Sequence, residues 1–376
     1  MRSLFAYFLI VALIDRAFTE SAELDCSDTS TSIIGQVFHY FKSDTGHYVD
    51  AKFFLSTKSA KTQVYFDVND WSAIEAAGFN PFKKTVFIIH GYASNGKKPW
   101  VVEMTESILY HMDVNVIAVD WSNSSSSWNY VNTARHTQRA SRKIFEFLQT
   151  IKSHKGAVVK GHKWNILYFI GHSLGSHISG QTAHLLKQDS FWKVERITGL
   201  DPAQPCFINV DSSLKIDKAH ADFVDIIHTQ GGKRDNNEAF GLNAVLGHVD
   251  FYVNGGLLQP ACSDTYIALN AMICSHKIAT KYFTETIDNE MMNICTFDSS
   301  AWDGTYADAE RLLKLKKKGE ICQKCPKMGI EASKSSARGK FIVFTSSSLP
   351  YCKFNLVDYD KIKQVLKVGI IFFYVS

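Results

Sequence analysis

The sequence of 376 residues predicts an α/β fold, with a doubly wound and mostly parallel sheet that is covered by helices on both faces. Short continuous apolar runs recur along the chain, and such runs are typical of strands that are buried on both faces of a sheet. Helical periods separate these runs, and the alternation of strand and helix indicates a parallel sheet. The hydrophobic content of 45% is sufficient for a full globular core.

The composition also limits the classes of function. The net charge of +4 is too small to indicate a nucleic-acid partner. The sequence contains no glycine-rich phosphate loop and no Cys/His cluster with the spacing of metal ligands. We therefore predict neither a cofactor nor a bound metal.

The first residues have the pattern of a secretory signal peptide. A short basic start precedes the apolar stretch Leu4–Ile14, which is too short to span a bilayer as a helix. We predict a signal peptide over residues 1–22, cleaved somewhere in Ala17–Ala22, and a single domain over residues 23–376. A buried N-terminal strand is the alternative. In a secreted chain the eight cysteines are disulfide candidates.

The predicted elements follow one another in the order that a parallel sheet requires. One helix is predicted over Ala134–Ile151, where apolar residues recur on one face. The final apolar run, Val368–Val375, is too short to span a membrane and is predicted to be a last strand. The other predicted strands are Val49–Leu55, Gln63–Phe66, Thr85–His90, Val114–Asp120, Ile166–Ile170, Val194–Leu200 and Phe223–His228.

The strand Ile166–Ile170 leads into Gly171-His172-Ser173-Leu174-Gly175, which fits the pattern G-x-S-x-G and is followed by a helical period. Strand, sharp turn and helix are the context that a nucleophile elbow requires. Glycines at both ends of the motif allow the close approach of neighbouring backbone. We predict that Ser173 is a nucleophile; an ordinary serine in a strand-to-helix turn is the alternative.

A second loop at the same edge of the sheet is suited to stabilising an oxyanion. His90-Gly91-Tyr92 ends a predicted strand, and ligands of open α/β sheets bind at the carboxyl ends of strands. The N–H groups of Tyr92 and of Leu174, which follows the nucleophile, are the predicted donors. A plain tight turn is the alternative.

A serine nucleophile requires a base, and the base requires an acid that orients it. Asp201 ends the strand after the nucleophile, so it is the preferred acid. The alternatives are Asp211, Asp217 and Asp225. Four histidines follow Asp201: His220, His228, His248 and His276. Their spacing in the sequence does not decide which of them is the base. A disulfide at Cys274 could fix the loop that carries His276.

Seven segments between Thr85 and Tyr282, in matching order, identify the chain as a member of the pancreatic lipase family. They are His90-Gly91-Tyr92, Val119-Asp120-Trp121, GHSLGSHISG (171–180), ITGLDPAQPCF (197–207), ADFVDIIHT (221–229), GHVDFYVNGG with QPAC (247–262) and Cys274-Ser275-His276. The resemblance implies an α/β-hydrolase fold, with Ser173 as nucleophile, Asp201 as acid, His276 as base, and the Tyr92 and Leu174 amides as oxyanion donors. It implies a secreted hydrolase of lipid carboxylic esters that acts at a membrane or micelle surface.

Two segments of the chain bear on the substrate. In the family, a disulfide such as Cys262–Cys274 closes the lid, and the 11 residues between these cysteines make a short lid like that of the secreted phospholipase A1 branch. The lid's apolar residues could contact a lipid interface; they are Tyr266, Ile267, Leu269, Met272 and Ile273. The long loop Gln230–Leu246 instead resembles that of the pancreatic lipases. We expect phospholipase A1 activity; the alternatives are a triacylglycerol or galactolipid lipase, and a non-catalytic lipid-binding or yolk-type protein.

The segment after His276 is too short for the C-terminal β-sandwich domain of pancreatic lipases, which we therefore expect to be absent. The expected bridges in it are Cys295–Cys322 and Cys325–Cys352, while the partners of Cys26 and Cys206 stay open. The basic stretch Arg311–Lys327 is predicted to be a solvated helix face followed by a loop, with attraction to anionic lipid surfaces as the alternative.

Two further sites follow from short patterns. Asn123-Ser124-Ser125 is a glycosylation sequon in a serine-rich loop. The resemblance implies a structural calcium site after the acid. Asp217 matches one ligand position of that site, but His220 stands where a second aspartate is expected, so we predict that no calcium binds there.

Overall fold

The computed structural model describes Leu24, Cys26 and residues 49–125, 129–231, 239–263 and 268–374. Within these ranges, the side chains of residues 290, 291 and 368–374 are not described. The predicted signal peptide lies outside the described residues.

The centre of the described chain is one ten-stranded sheet. Its strands are β1 Lys52–Ser56, β2 Val64–Tyr65, β3 Thr85–Ile89, β4 Asn115–Asp120, β5 Ile166–His172, β6 Lys193–Leu200, β7 Phe223–His228, β8 Val249–Val253, β9 Ser299–Ala301 and β10 Gly339–Val343. They lie in the order β2-β1-β4-β3-β5-β6-β7-β8-β10-β9. Every pairing from β4 to β10 in this order is parallel, whereas β1, β2 and β9 pair antiparallel. The parallel strands therefore end at one common edge, where the site lies.

Helices cover both faces of this sheet. Alternate residues of β3 show the two faces, because Phe87 and Ile89 enter one hydrophobic core and Val86 and Ile88 enter the other. The helices are α1 Trp71–Ala76, α2 Pro99–His111, α3 Ser122–Ser125, α4 Tyr130–Ser153, α5 Leu174–Leu186, α6 Ala268–Met291, α7 Tyr306–Lys317 and α8 Leu356–Tyr374. Of these, α4 and α5 close the core on the first face, and α2 and α6 close the core on the second.

The prediction of a last strand over Val368–Val375 is wrong, since residues up to Tyr374 continue α8. The reason is a helical period that begins before the apolar run. Ile362 and Leu366 of α8 pack against α7 in a third hydrophobic cluster, so the helix is already established when the run starts. Among the described residues, no helix combines the length and the apolarity needed to cross a membrane.

Four disulfides join the eight cysteines. Cys262–Cys274 is confirmed, and Cys26–Cys206 joins the N-terminal segment to the segment after β6. The predicted pairs Cys295–Cys322 and Cys325–Cys352 are wrong, because Cys295 pairs with Cys352 and Cys322 pairs with Cys325. The chain returns through β10, which lies between β8 and the edge strand β9, and this return brings Cys352 back beside Cys295. Order along the sequence does not reveal this return.

The basic stretch Arg311–Lys327 begins as the last part of α7, which ends at Lys317, and continues as a mostly exposed loop. Several of its cations are paired with carboxylates of α7 or of its neighbours, and such pairing weakens the case for an anionic lipid surface. The pairs are Arg311 with Asp308, Lys314 with Glu310, and Lys316 with Asp298.

A buried ion pair fixes β6, the strand that ends at Asp201. The Arg196 guanidinium donates to both carboxylate oxygens of Asp225 in β7, at 2.8 and 2.9 Å, and to the carbonyl oxygens of Gly329 and Ile330, at 2.7 and 2.6 Å. Both side chains are buried, with side-chain exposures of 7% and 0%. Asp225, one of the alternative acids, is therefore occupied as a structural partner.

Arg196→Met is expected to lower the free energy of unfolding by about 3–5 kcal/mol, because it leaves the Asp225 carboxylate buried without its cation. Denaturant unfolding of the purified protein measures this loss. The double variant Arg196→Met/Asp225→Asn is the control, and it should recover stability because the uncompensated charge is gone. An unchanged unfolding midpoint for Arg196→Met would contradict the assignment of Arg196 as the cation that compensates the buried Asp225 carboxylate.

Candidate active site

Ser173 lies in the turn between β5 and α5, at φ 57° and ψ −123°. A non-glycine residue with positive φ is strained, and such strain is concentrated at functional sites. The flanking glycines permit the turn, because a Cβ atom at Gly171 would lie 2.2 Å from the Gly175 carbonyl oxygen, and one at Gly175 would lie 2.1 Å from the Ile89 carbonyl oxygen. Strand, strained serine and helix thus follow one another as the sequence predicts.

The predicted oxyanion loop lies directly against Ser173. A Cβ atom at Gly91 would be 2.6 Å from the Ser173 Cβ, so only glycine allows this approach. The His90 ring fixes the loop: its Nδ1 donates to the Gly91 carbonyl oxygen at 2.9 Å, while its Nε2 accepts from the Trp121 amide at 3.2 Å. The loop is therefore held next to the first residues of α5, where Leu174 is fully buried.

Asp201 and His276 are joined by a hydrogen bond. The His276 Nδ1 donates to the Asp201 Oδ2 at 2.6 Å. The other carboxylate oxygen, Oδ1, accepts from the amides of Thr229 and Gln230 at 2.7 and 3.0 Å. Asp201 is fully buried and has a φ of 44°. Because two backbone amides hold its carboxylate in place, Asp201 can fix both the tautomer and the orientation of the His276 imidazole.

His276 lies in α6 rather than in the loop that the sequence suggests. The centre of its imidazole ring lies 4.8 Å from the centre of the His172 ring, and His172 is the residue before Ser173. The site thus combines the serine of the β5–α5 turn, the aspartate at the end of β6 and a histidine of α6. A serine, a base and an orienting acid are the groups that nucleophilic acyl transfer requires.

The other predicted candidates are engaged elsewhere. Asp211 and Asp217 cap short turns, accepting from the amides of Ser213 and Ala219. His228 contacts Asp250 at 2.9 Å, and the Nδ1 of His248 accepts from the Val224 amide at 3.0 Å. His220 is buried beside the ring of His184, and burial lowers the pKa of His220 to about 4.

The residues at the implied calcium position do not fit calcium. Calcium takes oxygen ligands, but His220 offers a buried imidazole there. The Oδ1 atom of Asp217 already accepts a backbone hydrogen bond. The absence of bound calcium stays a prediction from this donor set.

Two residues of the site were missed in the sequence. A Cβ atom at Gly241 would lie 2.6 Å from the Asp201 Oδ2, so this glycine packs directly on the acid. The ring of Phe240 faces that of His276 at 5.7 Å, and the Phe240 amide donates to the Gln230 side chain at 2.6 Å. Both residues lie within the loop Gln230–Leu246, shortly after its residues 232–238, which lie outside the description. A long polar loop gives no signal that two of its residues return to the site.

The lid segment is described only in part. The Cys262–Cys274 bridge closes it, and α6 begins inside it at Ala268, so its second half is helical. Leu269 is exposed, whereas Met272 and Ile273 are half-buried. The other two predicted interface residues, Tyr266 and Ile267, lie outside the described residues.

Asn123 of the sequon is exposed on α3, so it is accessible to glycosylation, which stays a prediction.

Comparisons with known proteins agree with this geometry. The family model described as Lipase matches residues 17–351 of the chain. Pancreatic triacylglycerol lipase of Myocastor coypus is 32% identical over 253 residues, which are 64% of this chain and 53% of that protein. Lipase member H of Mus musculus is 27% identical over 341 residues, which are 88% of this chain and 70% of that protein. The chain thus spans about half the length of the pancreatic relatives that it matches.

Solved structures are only distantly similar. Est1E from Butyrivibrio proteoclasticus with bound ferulic acid has a TM-score of 0.29 and 13% identity, covering 55% of this chain and 78% of that chain. Dienelactone hydrolase from Anabaena variabilis has a TM-score of 0.27 and 10% identity, covering 39% of this chain and 61% of that chain. Scores this low support no conclusion about the site. The parallel sheet with helices on both faces, together with the Lipase match, confirms the predicted α/β-hydrolase fold.

Proposed function

Because the chain belongs to the lipase family, we propose that it is a secreted hydrolase of lipid carboxylic esters, and that its preferred reaction is phospholipase A1 cleavage at the sn-1 position. The observation that carries the hydrolase activity is the hydrogen bond between His276 and the buried Asp201, together with the strained Ser173, whose amide donates to the carbonyl oxygen of Leu200, the residue before Asp201. Four disulfides among the described residues support an oxidising, extracellular compartment.

The reaction begins at Ser173. His276 Nε2 takes the proton of the Ser173 hydroxyl as the oxygen attacks the ester carbonyl. Asp201 stabilises the imidazolium that forms, because its Oδ2 already accepts the Nδ1 proton. His276 then returns the proton to the leaving alcohol, and water releases the fatty acid from Ser173 by the same steps.

The negative charge of the tetrahedral intermediate develops beside the loop at Gly91. The amides of Tyr92 and Leu174 are the proposed donors to this oxyanion. Their support is the packing of Gly91 on Ser173, which places the loop that carries Tyr92 beside Ser173, the residue directly before Leu174. Loss of one such donor typically lowers the rate by 10² to 10³.

The preference for phospholipid rests on the lid. Only 11 residues lie between Cys262 and Cys274, and a short lid leaves the site open to a bulky polar head group. The exposed Leu269 is suited to contact with the lipid surface.

Triacylglycerol hydrolysis is the second candidate, and a specific observation favours it. The loop Gln230–Leu246 is as long as in the pancreatic lipases, and two of its residues, Gly241 and Phe240, pack on Asp201 and His276. A non-catalytic lipid-binding protein is the third candidate. The hydrogen-bonded pair of His276 and Asp201 counts against it, because a binding protein has no need to orient an imidazole.

Fatty-acid release from phosphatidylcholine and from a triacylglycerol emulsion, measured side by side with Ser173→Ala as blank, tests these alternatives. We expect release mainly from the phospholipid. Release mainly from the triacylglycerol would favour the long loop as the specificity determinant. No release from either substrate by the folded protein would support the binding protein.

Replacing the segment between Cys262 and Cys274 by a longer lid should lower the ratio of phospholipid to triacylglycerol hydrolysis, because a longer lid covers the space for the head group. An insertion of equal length in the exposed turn around Gly319 is the control, since that turn lies outside the site. An unchanged ratio would refute the role of the lid.

A further inference from the structure

The helix that follows Ser173 and the helix that carries His276 lie on opposite faces of the sheet. α5, which follows Ser173, buries Leu174 and Ile178 in one core. α6, which carries His276, buries Ile278 and Tyr282 in the other core. Because each core contains only one of these two helices, packing within a core does not by itself fix the position of His276 relative to Ser173.

His172 connects the two elements at the end of the sheet. It is the residue before Ser173, and its Nε2 donates to the backbone carbonyl oxygen of His276 at 3.0 Å. Because a carbonyl oxygen can only accept, the proton must be on Nε2. The carbonyl has two lone pairs, so it can accept this bond in addition to a helical one.

The surroundings of His172 favour a neutral imidazole that is held in place as a hydrogen-bond donor. Only 7% of the residue is exposed, and the ring of Trp100 packs edge-on against it at 5.8 Å. Burial, together with the neighbouring His276, lowers the pKa of His172 to about 3. A neutral His172 does not repel the imidazolium that the reaction creates on His276, whereas a charged one would.

We propose that His172 is a positioning residue that holds the base of α6 in register with Ser173 by its hydrogen bond to the His276 carbonyl oxygen. The proposal rests on the proposed function, and it assigns to His172 no contact with the reacting atoms. Asp201 fixes the imidazole from its Nδ1 side, and His172 fixes the backbone from which the imidazole extends. The two contacts together leave the ring little freedom to move away from the serine.

Two variants distinguish the contribution of the N–H donor of His172 from that of its aromatic ring. His172→Gln keeps an N–H at about the reach of Nε2, and His172→Phe keeps an aromatic ring between Trp100 and His276 but has no donor. We expect kcat of His172→Phe to fall by about 10- to 100-fold with KM almost unchanged, since small misplacements of a catalytic group cost this much. His172→Gln should stay within about three-fold of the wild type.

Two readouts distinguish positioning from a general loss of structure. Active-site titration with a fluorophosphonate counts reactive sites, so a positioning defect lowers the rate per site, whereas misfolding lowers the number of sites. The low-field proton resonance of the His276–Asp201 hydrogen bond, assigned by its loss in Asp201→Asn, should shift or broaden in His172→Phe and persist in His172→Gln.

Equal kcat values for the two variants, whether both retained or both reduced, would overturn the proposal. So would an unchanged low-field resonance in His172→Phe. If the wild-type protein releases no fatty acid, the proposed function fails, and the resonance still decides whether His172 holds His276.

Discussion

Replacing Ser173 with alanine is expected to lower ester hydrolysis by about 10⁴-fold or more, because no other atom of the site can form the acyl intermediate. The turn itself should persist, since the glycines on both sides and the hydrogen bond from the Ser173 amide to the Leu200 carbonyl oxygen (3.0 Å) do not involve the hydroxyl. The measurement is the initial rate of fatty-acid release at saturating substrate, together with thermal unfolding.

Ser179→Ala is the matched control for this variant. Ser179 lies on α5, the helix that follows Ser173, and is buried like Ser173, but its hydroxyl donates to the Gly175 carbonyl oxygen at 2.8 Å. We expect its activity to stay within a few-fold of the wild type. Activity retained in Ser173→Ala, or lost equally in both variants, would refute the role of Ser173 as nucleophile.

Much of the sheet could be predicted, because its central strands are buried on both faces. Such strands are mostly apolar, and the predicted strand Phe223–His228 has the same bounds in the sequence and in the structure. The turn at Ser173 could also be predicted, because close packing demands glycine on both of its sides. In both cases the physical constraint acts on consecutive residues and is visible locally.

Features that depend on the return of distant segments could not be predicted. Cys352 reaches Cys295 only after the chain has passed through β10, so the order of the cysteines along the chain does not reveal this pair. Phe240 and Gly241 reach His276 and Asp201 from within a polar loop that has no motif of its own. The choice of His276 over three other histidines likewise required the family resemblance, since spacing left it open.

Asp201→Asn is expected to lower kcat by about 10⁴-fold while the fold persists. An asparagine can still accept from the amides of Thr229 and Gln230 through its carbonyl oxygen. Its NH₂ group would then face His276 Nδ1 as a donor, so the proton of the neutral imidazole would have to move to Nε2. An imidazole protonated at Nε2 cannot take the proton of Ser173, and the loss therefore comes from the wrong tautomer rather than from a missing contact.

Asp225→Asn is the matched control, since Asp225 is equally buried at the neighbouring strand but pairs with Arg196 instead of a histidine. It should lose stability and keep its kcat per titrated site, whereas Asp201→Asn should lose kcat at nearly full stability. This crossed pattern would separate a buried carboxylate that holds the fold from one that orients a base. If Asp201→Asn kept more than about one tenth of the wild-type kcat, the imidazole would not depend on Asp201 for its tautomer, and one of the remaining acids would have to be reconsidered.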